Sequence, residues 1–407
     1  MRRTASATRT ESLHLASKAP AVSGQNRPAG AASEAGHWTW RPTRASVRAM
    51  STPADVSSAP LRVGLAGYGL AGAVFHAPLI AANPALHLVA IVTRDAERRA
   101  RAQREHPQAR IVDASEELWR LEPKLDLVVV ATPNSTHVPI ARAALEVGIG
   151  AVVDKPLAAT AAEGRALVSE ARRRGLLLTV FHNRRWDGDF LTVRRLAANG
   201  TLGTVFRFES RFERWRAAPK PGWRENRDPR EAGGVLYDLG SHLIDQALTL
   251  LGPVDTVYAE LDRRREGVEV EDDAFLALTH RSGARSHLVM STTAAQSGAR
   301  FQVLGARSAY VKWGLDPQEA ALRAGERPGP GRRWGEEPRE RWGTLGAGDD
   351  GHQVPTEPGA YPAFYEAVAA ALHGAPPPVD PNDAVTGLDV IEAARRSAST
   401  GMVIRVR

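Results

Sequence analysis

Short apolar runs alternate with helix-like patterns along the first half of the chain, starting at residue 61. After the first run, further strands are predicted at 86–93, 110–112, 126–131, 151–153 and 176–181. Helices are predicted after the first strand and at 95–105, 136–147 and 160–174. This alternation favours βαβ units in one sheet. The sequence therefore predicts an α/β Rossmann domain with a doubly wound parallel sheet over residues 59–181.

The pattern changes after residue 181, where strand-like runs follow one another with few helices between them. These strands are predicted at 205–212, 254–261, 273–280, 286–293, 301–304 and 309–312. Helices are predicted at 187–199, 237–251, 361–373 and 383–399, and a long exposed loop at 325–358. Consecutive strands joined by short turns indicate an antiparallel sheet. Residues 182–407 are therefore predicted to form an α+β C-terminal domain with a large, mostly antiparallel open sheet.

The composition is that of a globular protein whose charge is unevenly placed. The chain has 407 residues, 43% of them hydrophobic, and no cysteine, which excludes disulfides and thiolate sites and fits a reducing cytoplasm. The net charge is +7, but residues 1–49 contain eight Lys or Arg against two acids. The remainder is nearly neutral, so no nucleic-acid surface is predicted. No apolar run reaches the roughly 18–20 residues of a membrane helix, so a soluble, cytoplasmic protein is expected.

The basic tail, residues 1–58, is predicted to be disordered and to contribute nothing to the fold. It is rich in Ala, Ser, Thr and Arg and poor in acids, and such a segment cannot bury enough apolar surface to offset its chain entropy. Two interpretations are open. The composition resembles an organelle transit peptide, and the alternative is that residues 1–49 are an over-extended start before Met50.

A glycine-rich turn follows the first strand directly. It consists of Gly67, Tyr68, Gly69, Leu70, Ala71 and Gly72, which spells G-x-G-x-x-G. In a strand–turn–helix context Gly67 allows the tight turn, Gly69 lets the backbone approach a pyrophosphate, and Gly72 lets helix and strand pack closely. The free N–H groups at the helix start would face the phosphates. The turn therefore predicts a dinucleotide site.

The end of the second strand bears on which dinucleotide binds. An NAD site favours an acid about 20 residues after the glycines, whereas an arginine accommodates the 2′-phosphate of NADP. Thr93 and Arg94 stand at this position. They predict NADP rather than NAD. The alternative is a solvated basic helix face in which Asp95 takes the role of the acid.

Two polar turns follow the fourth and fifth strands. The first contains Thr132, Pro133, Asn134 and His137, and the second contains Asp154 and Lys155 before a proline. Both are expected at the carboxyl ends of the strands, where doubly wound folds bind their ligands. Burial disfavours the charged form of a lysine, which suits proton transfer near neutral pH. The structural alternative for Lys155 is an ordinary surface loop residue.

A possible acid–base pair lies in the helix predicted over 237–251. On a regular helix Asp238 and His242 lie four residues apart and share one face. A carboxylate beside an imidazole can orient it, raise its pKa and support proton relay to a hydroxyl. The structural alternative is a helix-capping aspartate and a core histidine. With no H-E-x-x-H motif and no cysteine, no metal site is predicted.

Taken together, these motifs resemble the Gfo/Idh/MocA family of oxidoreductases over residues 61–400. The order is G-x-G-x-x-G, T-P-N-x-x-H, D-K-P and D-x-x-x-H, with Asp154 where glutamate is commoner. Further stretches, at 75–80, 181–187, 237–242 and 310–319, are similar to a bacterial branch that includes NADP-dependent scyllo-inositol dehydrogenases. In the family the second domain binds substrate, and its open sheet usually forms the oligomer interface, which implies a homodimer or homotetramer.

The resemblance implies specific residue roles. The implied catalytic residues are Lys155, Asp238 and His242. Trp223 and Arg224 resemble a pair that contacts the cofactor in some NADP-using members. Motif and resemblance together predict a cofactor site made of Gly67, Tyr68, Gly69, Leu70, Ala71, Gly72, Thr93, Arg94, Thr132, Pro133, Asn134, His137, Asp154, Lys155, Trp223 and Arg224.

The implied activity is NADP-dependent hydride transfer between the nicotinamide and a secondary alcohol of a cyclic polyol or sugar, with scyllo-inositol as one candidate. The protein supplies position and electrostatics for this chemistry. The expected partners are therefore a small polyol or sugar and further copies of the chain, with no nucleic acid and no membrane. Two alternatives stay open: an NAD-assisted glycosidase of the same family, and a nucleotide-binding regulator that has lost turnover.

Overall fold

Two β-sheets organise the protein, which a computed structural model describes over residues 59–219, 222–329 and 331–406. The predictions for residues 1–58 lie outside the described residues. Among the residues described, no helix is long and apolar enough to cross a membrane.

The first sheet is parallel throughout. Its strands are β1 (Leu61–Ala66), β2 (Leu86–Val92), β3 (Arg110–Val112), β4 (Leu127–Val130), β5 (Gly150–Val153) and β6 (Leu178–Val180). They lie in the order β3-β2-β1-β4-β5-β6, which is the Rossmann order. Every residue of β4 and β5 is buried, as expected for parallel strands covered on both faces. The predicted Rossmann fold is confirmed.

Helices connect these strands and end where the sequence signals predict. They are α1 (Ala77–Ala81), α2 (Ala96–Glu105), α3 (Ser115–Leu118), α4 (His137–Glu146) and α5 (Ala161–Arg174). The Thr160 side chain accepts the Glu163 N–H at 3.2 Å and begins α5 with a capping box. Gly175, with φ of +65°, ends this helix in the left-handed conformation. Only α3 was not predicted.

The second sheet has nine strands. They are β7 (Val205–Glu213), β8 (Val254–Asp262), β9 (Asp273–His280), β10 (Arg285–Ser291), β11 (Phe301–Gly305), β12 (Ala309–Lys312), β13 (Gly343–Gly346), β14 (His352–Val354) and β15 (Ile404–Arg405). The order is β14-β13-β12-β11-β7-β10-β9-β8-β15, and only β7 and β10 pair in parallel. Burial alternates along β9, so one face of the sheet forms the core. The mostly antiparallel C-terminal sheet is confirmed; its use as an oligomer interface stays a prediction.

The prediction of one long exposed loop over 325–358 is wrong in part. This stretch contains β13 and β14, which extend the edge of the second sheet, and a 3₁₀ turn at Arg339–Arg341. Buried Glu337 pairs with the fully buried Lys312 of β12 at 3.1 Å. A charged, glycine-rich composition is typical of loops, but here pairing with β12 and a buried ion pair hold the segment on the sheet. Neither the pairing with β12 nor the ion pair with Lys312 can be predicted from the residues of this segment alone.

The remaining helices join the two sheets. They are α6 (Gly188–Ala198), α7 (Ser241–Leu251), α8 (Gln318–Arg323), α9 (Tyr361–Leu372) and α10 (Pro381–Thr400). On α9, Phe364 stacks edge-on against Phe181 with ring centroids 4.9 Å apart. Tyr365 lies with its hydroxyl 2.6 Å from Nδ1 of buried His76. The C-terminal helices therefore complete the core of the first sheet, and the domain boundary at residue 181 stays a prediction.

Burial of histidine side chains predicts a pH dependence of stability. Burial lowers the pKa of five histidines: His106, His137, His182, His242 and His280. In the unfolded chain each of these histidines has a pKa of about 6.5. At lower pH the unfolded state therefore binds more protons than the folded state. The free energy of unfolding is therefore fully present above that pH and falls as the pH decreases.

Urea unfolding at a series of pH values from neutral downwards tests this expectation. His280→Gln removes one of these groups and flattens the slope, whereas His87→Gln, at an exposed position, leaves it unchanged. A free energy of unfolding that stays constant as the pH falls below about 6.5 would contradict the expectation.

Candidate active site

A large cleft lies at the carboxyl ends of the strands of the first sheet. Its volume is about 760 Å³, within the range of roughly 300–1,000 Å³ typical of ligand pockets. It is lined by the glycine turn after β1, the residues after β2, the T-P-N turn after β4 and the D-K-P turn after β5. Gly222, Trp223 and Arg224 from the second half of the chain also line it. The fold therefore brings together residues more than 150 positions apart.

The glycine turn has the shape that a dinucleotide requires. Gly67 has φ of +100°, and a Cβ there would lie 2.4 Å from the Ala131 carbonyl oxygen. A Cβ on Gly72 would lie 2.0 Å from the Gly67 carbonyl oxygen. A Cβ on Gly69 would face Arg98 at 3.8 Å, on the wall of the cleft. Two glycines therefore permit the turn itself, and the third keeps the backbone open to a ligand.

The end of β2 forms the wall where an adenosine ribose would bind. Thr93, Arg94, Asp95 and Arg98 line the cleft there. The Asp95 carboxylate accepts the Arg98 N–H at 2.9 Å and so caps α2. Arg94 donates from Nε to the Asp113 carbonyl at 3.0 Å and is otherwise exposed. The carboxylate that could favour NAD is thus engaged with the helix, while a guanidinium faces the cleft.

The T-P-N turn is fixed from both sides. Asn134 donates from Nδ2 to the Glu231 carbonyl at 2.8 Å, which ties the turn to the second half of the chain. His137 is buried, with its ring nitrogens 2.8 Å from the Pro156 oxygen and 3.0 Å from the Thr132 oxygen. His137 and Gly72 do not line the cleft, unlike the other predicted cofactor residues. The prediction that His137 lines the cofactor site is therefore corrected: its buried ring braces the two turns that form the cleft.

A small inner pocket adjoins the cleft and contains the three predicted catalytic residues. Its volume is about 90 Å³. Lys155, Asp238 and His242 line it, although Asp238 and His242 follow Lys155 by more than eighty positions. Five residues line both spaces: Leu70, Ala71, Asp154, Lys155 and Arg224. The shared wall places Lys155 at the junction between them.

Lys155 and Asp238 form a largely buried ion pair, with side chains 11% and 13% exposed. Lys155 Nζ donates to the Asp238 main-chain oxygen at 2.5 Å and to its carboxylate at 3.1 Å. Arg224 donates from Nε to the other carboxylate oxygen at 2.9 Å. Burial alone would raise the pKa of Asp238, but the two cations lower it well below the ordinary value. Asp238 is thus ionised near neutral pH and positions the ammonium of Lys155.

The predicted pairing of Asp238 with His242 is wrong. Both Asp238 carboxylate oxygens bind cations, and burial followed by the charge of Lys155 lowers the pKa of His242 rather than raising it. The physical reason is that Lys155 and Arg224, which both lie outside this helix, occupy the two carboxylate oxygens of Asp238. His242 is therefore a neutral imidazole near neutral pH, and its Nδ1 has no hydrogen-bond partner among the described residues.

The inner pocket contains residues that the sequence alone did not single out as site residues. They are Phe75, Phe181, Asn183, Arg184, Phe212, Arg214, Leu239, Glu319 and Arg323. Arg184 donates to Glu319 at 2.6 Å across 135 positions of sequence. Several lie in stretches that resemble the bacterial branch, at 181–187 and 310–319, which was the only signal available. The side chains of the pocket come from both halves of the chain.

Family models match both halves of this chain. The model described as "Oxidoreductase family, NAD-binding Rossmann fold" matches residues 61–182. The model described as "GFO/IDH/MocA C-terminal domain" matches residues 190–311. The two matches cover the elements that form the cleft and most of those that form the inner pocket.

The chain is similar along most of its length to known oxidoreductases. It is 41% identical to the uncharacterized oxidoreductase YdgJ of Escherichia coli, over 83% of this chain and 96% of that protein. It is 36% identical to the scyllo-inositol 2-dehydrogenase (NADP(+)) IolW of Bacillus subtilis, over 83% of this chain and 94% of that protein. Among solved structures, yvaA of Bacillus subtilis has a TM-score of 0.80 at 34% identity and covers 86% of this chain and 99% of its own.

Proposed function

Because the chain belongs to the Gfo/Idh/MocA family of oxidoreductases, we propose that it is an NADP-dependent dehydrogenase acting on a secondary alcohol of a cyclic polyol or sugar. One observation supports the proposal most directly. Lys155 lies at the junction of the cleft and the inner pocket, and His242 lines that same inner pocket. A proton-accepting group and a cation thus adjoin the space that fits a dinucleotide.

The substrate class is inferred from relatives whose names state one. IolW is a scyllo-inositol 2-dehydrogenase, and the chain covers nearly all of it. D-glucoside 3-dehydrogenase of Escherichia coli is 31% identical over 48% of this chain. Both act on ring alcohols. A cyclic polyol or sugar, with scyllo-inositol as the first compound to test, is the corresponding proposal here.

The residues of the cleft fit a nicotinamide dinucleotide. The glycine turn would hold the pyrophosphate, Thr93 and Arg94 the adenosine ribose, and the T-P-N turn the other ribose. Trp223 and Arg224 would cover the site from the second half of the chain; their side chains stack at 4.2 Å. When bound, the cofactor supplies the hydride acceptor or donor.

The protein side chains supply proton transfer and charge stabilisation. Neutral His242 can accept the proton of a substrate hydroxyl, because its lowered pKa keeps the imidazole unprotonated near neutral pH. The Lys155 ammonium stabilises the negative charge that develops on the oxygen. Asp238, held by Arg224, fixes the Lys155 side chain and is a positioning residue. In the opposite direction the same groups protonate the forming alcohol.

The direct test is NADPH formation by the purified protein with a panel of inositols and hexoses. We expect turnover of at least one ring alcohol with NADP. A glycoside-cleavage assay with the same cofactor separates this activity from NAD-assisted glycosidase chemistry. Dinucleotide binding without turnover of any panel compound would favour the regulator alternative instead.

Replacement of Arg94 by aspartate tests the cofactor preference. The change places a carboxylate where the proposal has a 2′-phosphate, so the ratio of kcat/KM for NADP over NAD should fall on the order of 10–100-fold, as expected for loss of a charge-assisted contact and gain of repulsion. Arg104→Asp is the matched control, because Arg104 is exposed near the end of α2, the helix that follows Arg94, and does not line the cleft. An unchanged ratio in Arg94→Asp would show that Thr93 and Arg94 do not select the dinucleotide.

A further inference from the structure

The inner pocket carries an excess of positive charge. Five cationic side chains line it, against three carboxylates. The cations are Lys155, Arg184, Arg214, Arg224 and Arg323, and the carboxylates are Asp154, Asp238 and Glu319. A neutral polyol needs hydrogen-bonding groups but no such excess of charge. The excess points to a ligand that brings negative charge with it.

The arginine cluster, defined as Arg184, Arg214 and Arg323, shares one carboxylate, Glu319. Arg184 binds one oxygen of Glu319 at 2.6 Å, and Arg323 binds the other at 2.8 Å. Although burial opposes it, the three arginines lower the pKa of Glu319 to about 2. Both oxygens of this carboxylate are thus engaged by Arg184 and Arg323.

Arg214 is the member of the cluster whose guanidinium donates no hydrogen bond to another described residue. Its nearest carboxylate oxygen is Glu319 Oε1 at 3.8 Å, beyond hydrogen-bonding distance. Its side chain is only 26% exposed, and burial lowers its pKa. Among the described residues, no carbonyl or carboxylate accepts a hydrogen bond from this guanidinium within 3.5 Å. A cation held partly away from water without a hydrogen-bonded counter-ion is stabilised when a ligand supplies one.

The packing around Phe212 holds Arg214 in this position. The guanidinium of Arg214 lies 4.8 Å from the ring centroid of Phe212, and that of Arg184 lies 4.5 Å from it. Cation–π contact fixes the side chain without using its N–H donors. Those donors stay available to the pocket, and a guanidinium presents them in a fork that matches carboxylate or phosphate oxygens.

We propose that the substrate is a sugar or cyclic polyol bearing an anionic group, a carboxylate or a phosphate, which Arg214 binds in the inner pocket. This inference rests on the proposed function and specifies its substrate class. The ring alcohol to be oxidised lies toward Lys155 and His242, and the anionic group lies toward the arginine cluster. Arg214 is then the residue that determines specificity for acidic over neutral substrates.

Matched pairs of compounds test the proposal. Glucose is compared with glucuronate and glucose 6-phosphate, and myo-inositol with its monophosphate. We expect kcat/KM for the preferred acidic member to exceed that of its neutral counterpart on the order of 10–100-fold, as for a hydrogen bond to a charged group. The two kinds of anionic group distinguish carboxylate from phosphate recognition. A preference for the neutral member of every pair would overturn the proposal.

Variants at Arg214 test whether this residue is responsible. Arg214→Gln should remove the advantage of the acidic substrate mainly through KM, and Arg214→Lys should restore part of it. Arg216→Gln is the matched control, because it removes the same charge two residues away and Arg216 does not line the pocket. An acidic preference that survives in Arg214→Gln would show that another residue binds the anion.

Calorimetric titration with glucuronate and with inositol monophosphate separates this proposal from the proposed function. Arg214-dependent binding of either compound without turnover would support the anion site and contradict the dehydrogenase assignment. Turnover of neutral ring alcohols with no binding of either anion would support the dehydrogenase assignment and contradict the anion site. If the protein neither binds these anions nor turns over any ring alcohol, the anion site and the dehydrogenase assignment are both contradicted.

Discussion

Replacing Lys155 by methionine lowers kcat on the order of 10²–10⁴-fold, the range typical of a lost acid–base or charge-stabilising group, while dinucleotide binding persists. The ammonium reaches the inner pocket from the end of β5, and Asp238 holds it through contacts of 2.5 and 3.1 Å. Methionine retains the length and volume of the side chain but not its charge. The developing oxyanion of the substrate therefore loses its nearest cation, and KM changes less than kcat.

Steady-state kinetics with a ring alcohol measure this effect, and tryptophan fluorescence follows NADP binding. Lys124→Met is the matched control, since Lys124 is an exposed lysine whose Nζ donates to the Val147 carbonyl outside the cleft. Unchanged kcat in Lys155→Met would remove Lys155 from the mechanism. Loss of NADP binding together with kcat would instead assign it to the cofactor site.

A second substitution separates catalysis from folding. Without Lys155, the largely buried Asp238 carboxylate retains only Arg224 as an ion-pair partner among the described residues, and breaking such a pair is destabilising. The double variant Lys155→Met with Asp238→Asn removes the unpaired charge. It should recover much of the thermal stability lost in the single variant and none of the activity. Recovery of activity in the double variant would show that the kcat loss came from misfolding.

Replacing His242 by glutamine has an effect of similar size and also changes the pH profile. We expect kcat for alcohol oxidation to fall on the order of 10²–10⁴-fold, because the proton acceptor is lost. Burial, Lys155 and Arg184 lower the pKa of His242. In the unsubstituted protein, kcat therefore falls only at pH values below about 6.5, the ordinary pKa of histidine. The protonated imidazole cannot accept the hydroxyl proton. In His242→Gln this acid limb disappears.

The pH dependence of kcat, measured for both proteins at saturating substrate and cofactor, checks this assignment. His280→Gln is the matched control: His280 is also buried with a lowered pKa, but it lies in β9 and hydrogen-bonds Ser286 at 2.8 Å. That variant alters stability and leaves the pH profile of kcat unchanged. An acid limb of unchanged position in His242→Gln would mean that another group accepts the proton.

Much of the fold follows from local sequence patterns. The continuous apolar run of β4 predicts a strand covered on both faces. The paired caps at Thr160 and Gly175 mark both ends of α5. These signals act over a few residues, so they are present in the sequence itself. The strands β13 and β14 lack such a signal; β13 is stabilised by pairing with β12, and β14 by pairing with β13.

The candidate site divides in the same way. The glycine turn and Lys155 follow strands whose ends meet at one sheet edge, so their placement was predictable. The pairing of Asp238 was not, because its partners Lys155 and Arg224 lie 83 and 14 positions away along the chain. Contacts such as Arg184 with Glu319 join elements 135 positions apart. No local pattern encodes such a contact.

The sequence by itself determined the doubly wound parallel first sheet, the mostly antiparallel second sheet, and a dinucleotide turn after β1. These features depend on side-chain periodicity and on the backbone freedom of glycine, which act locally. Only the tertiary structure decided the charges of the site: an ionised Asp238 between two cations, a neutral His242, and an Arg214 that lies 3.8 Å from its nearest carboxylate oxygen. Charge states depend on burial and on neighbours from distant parts of the chain, and those neighbours exist only once the chain has folded.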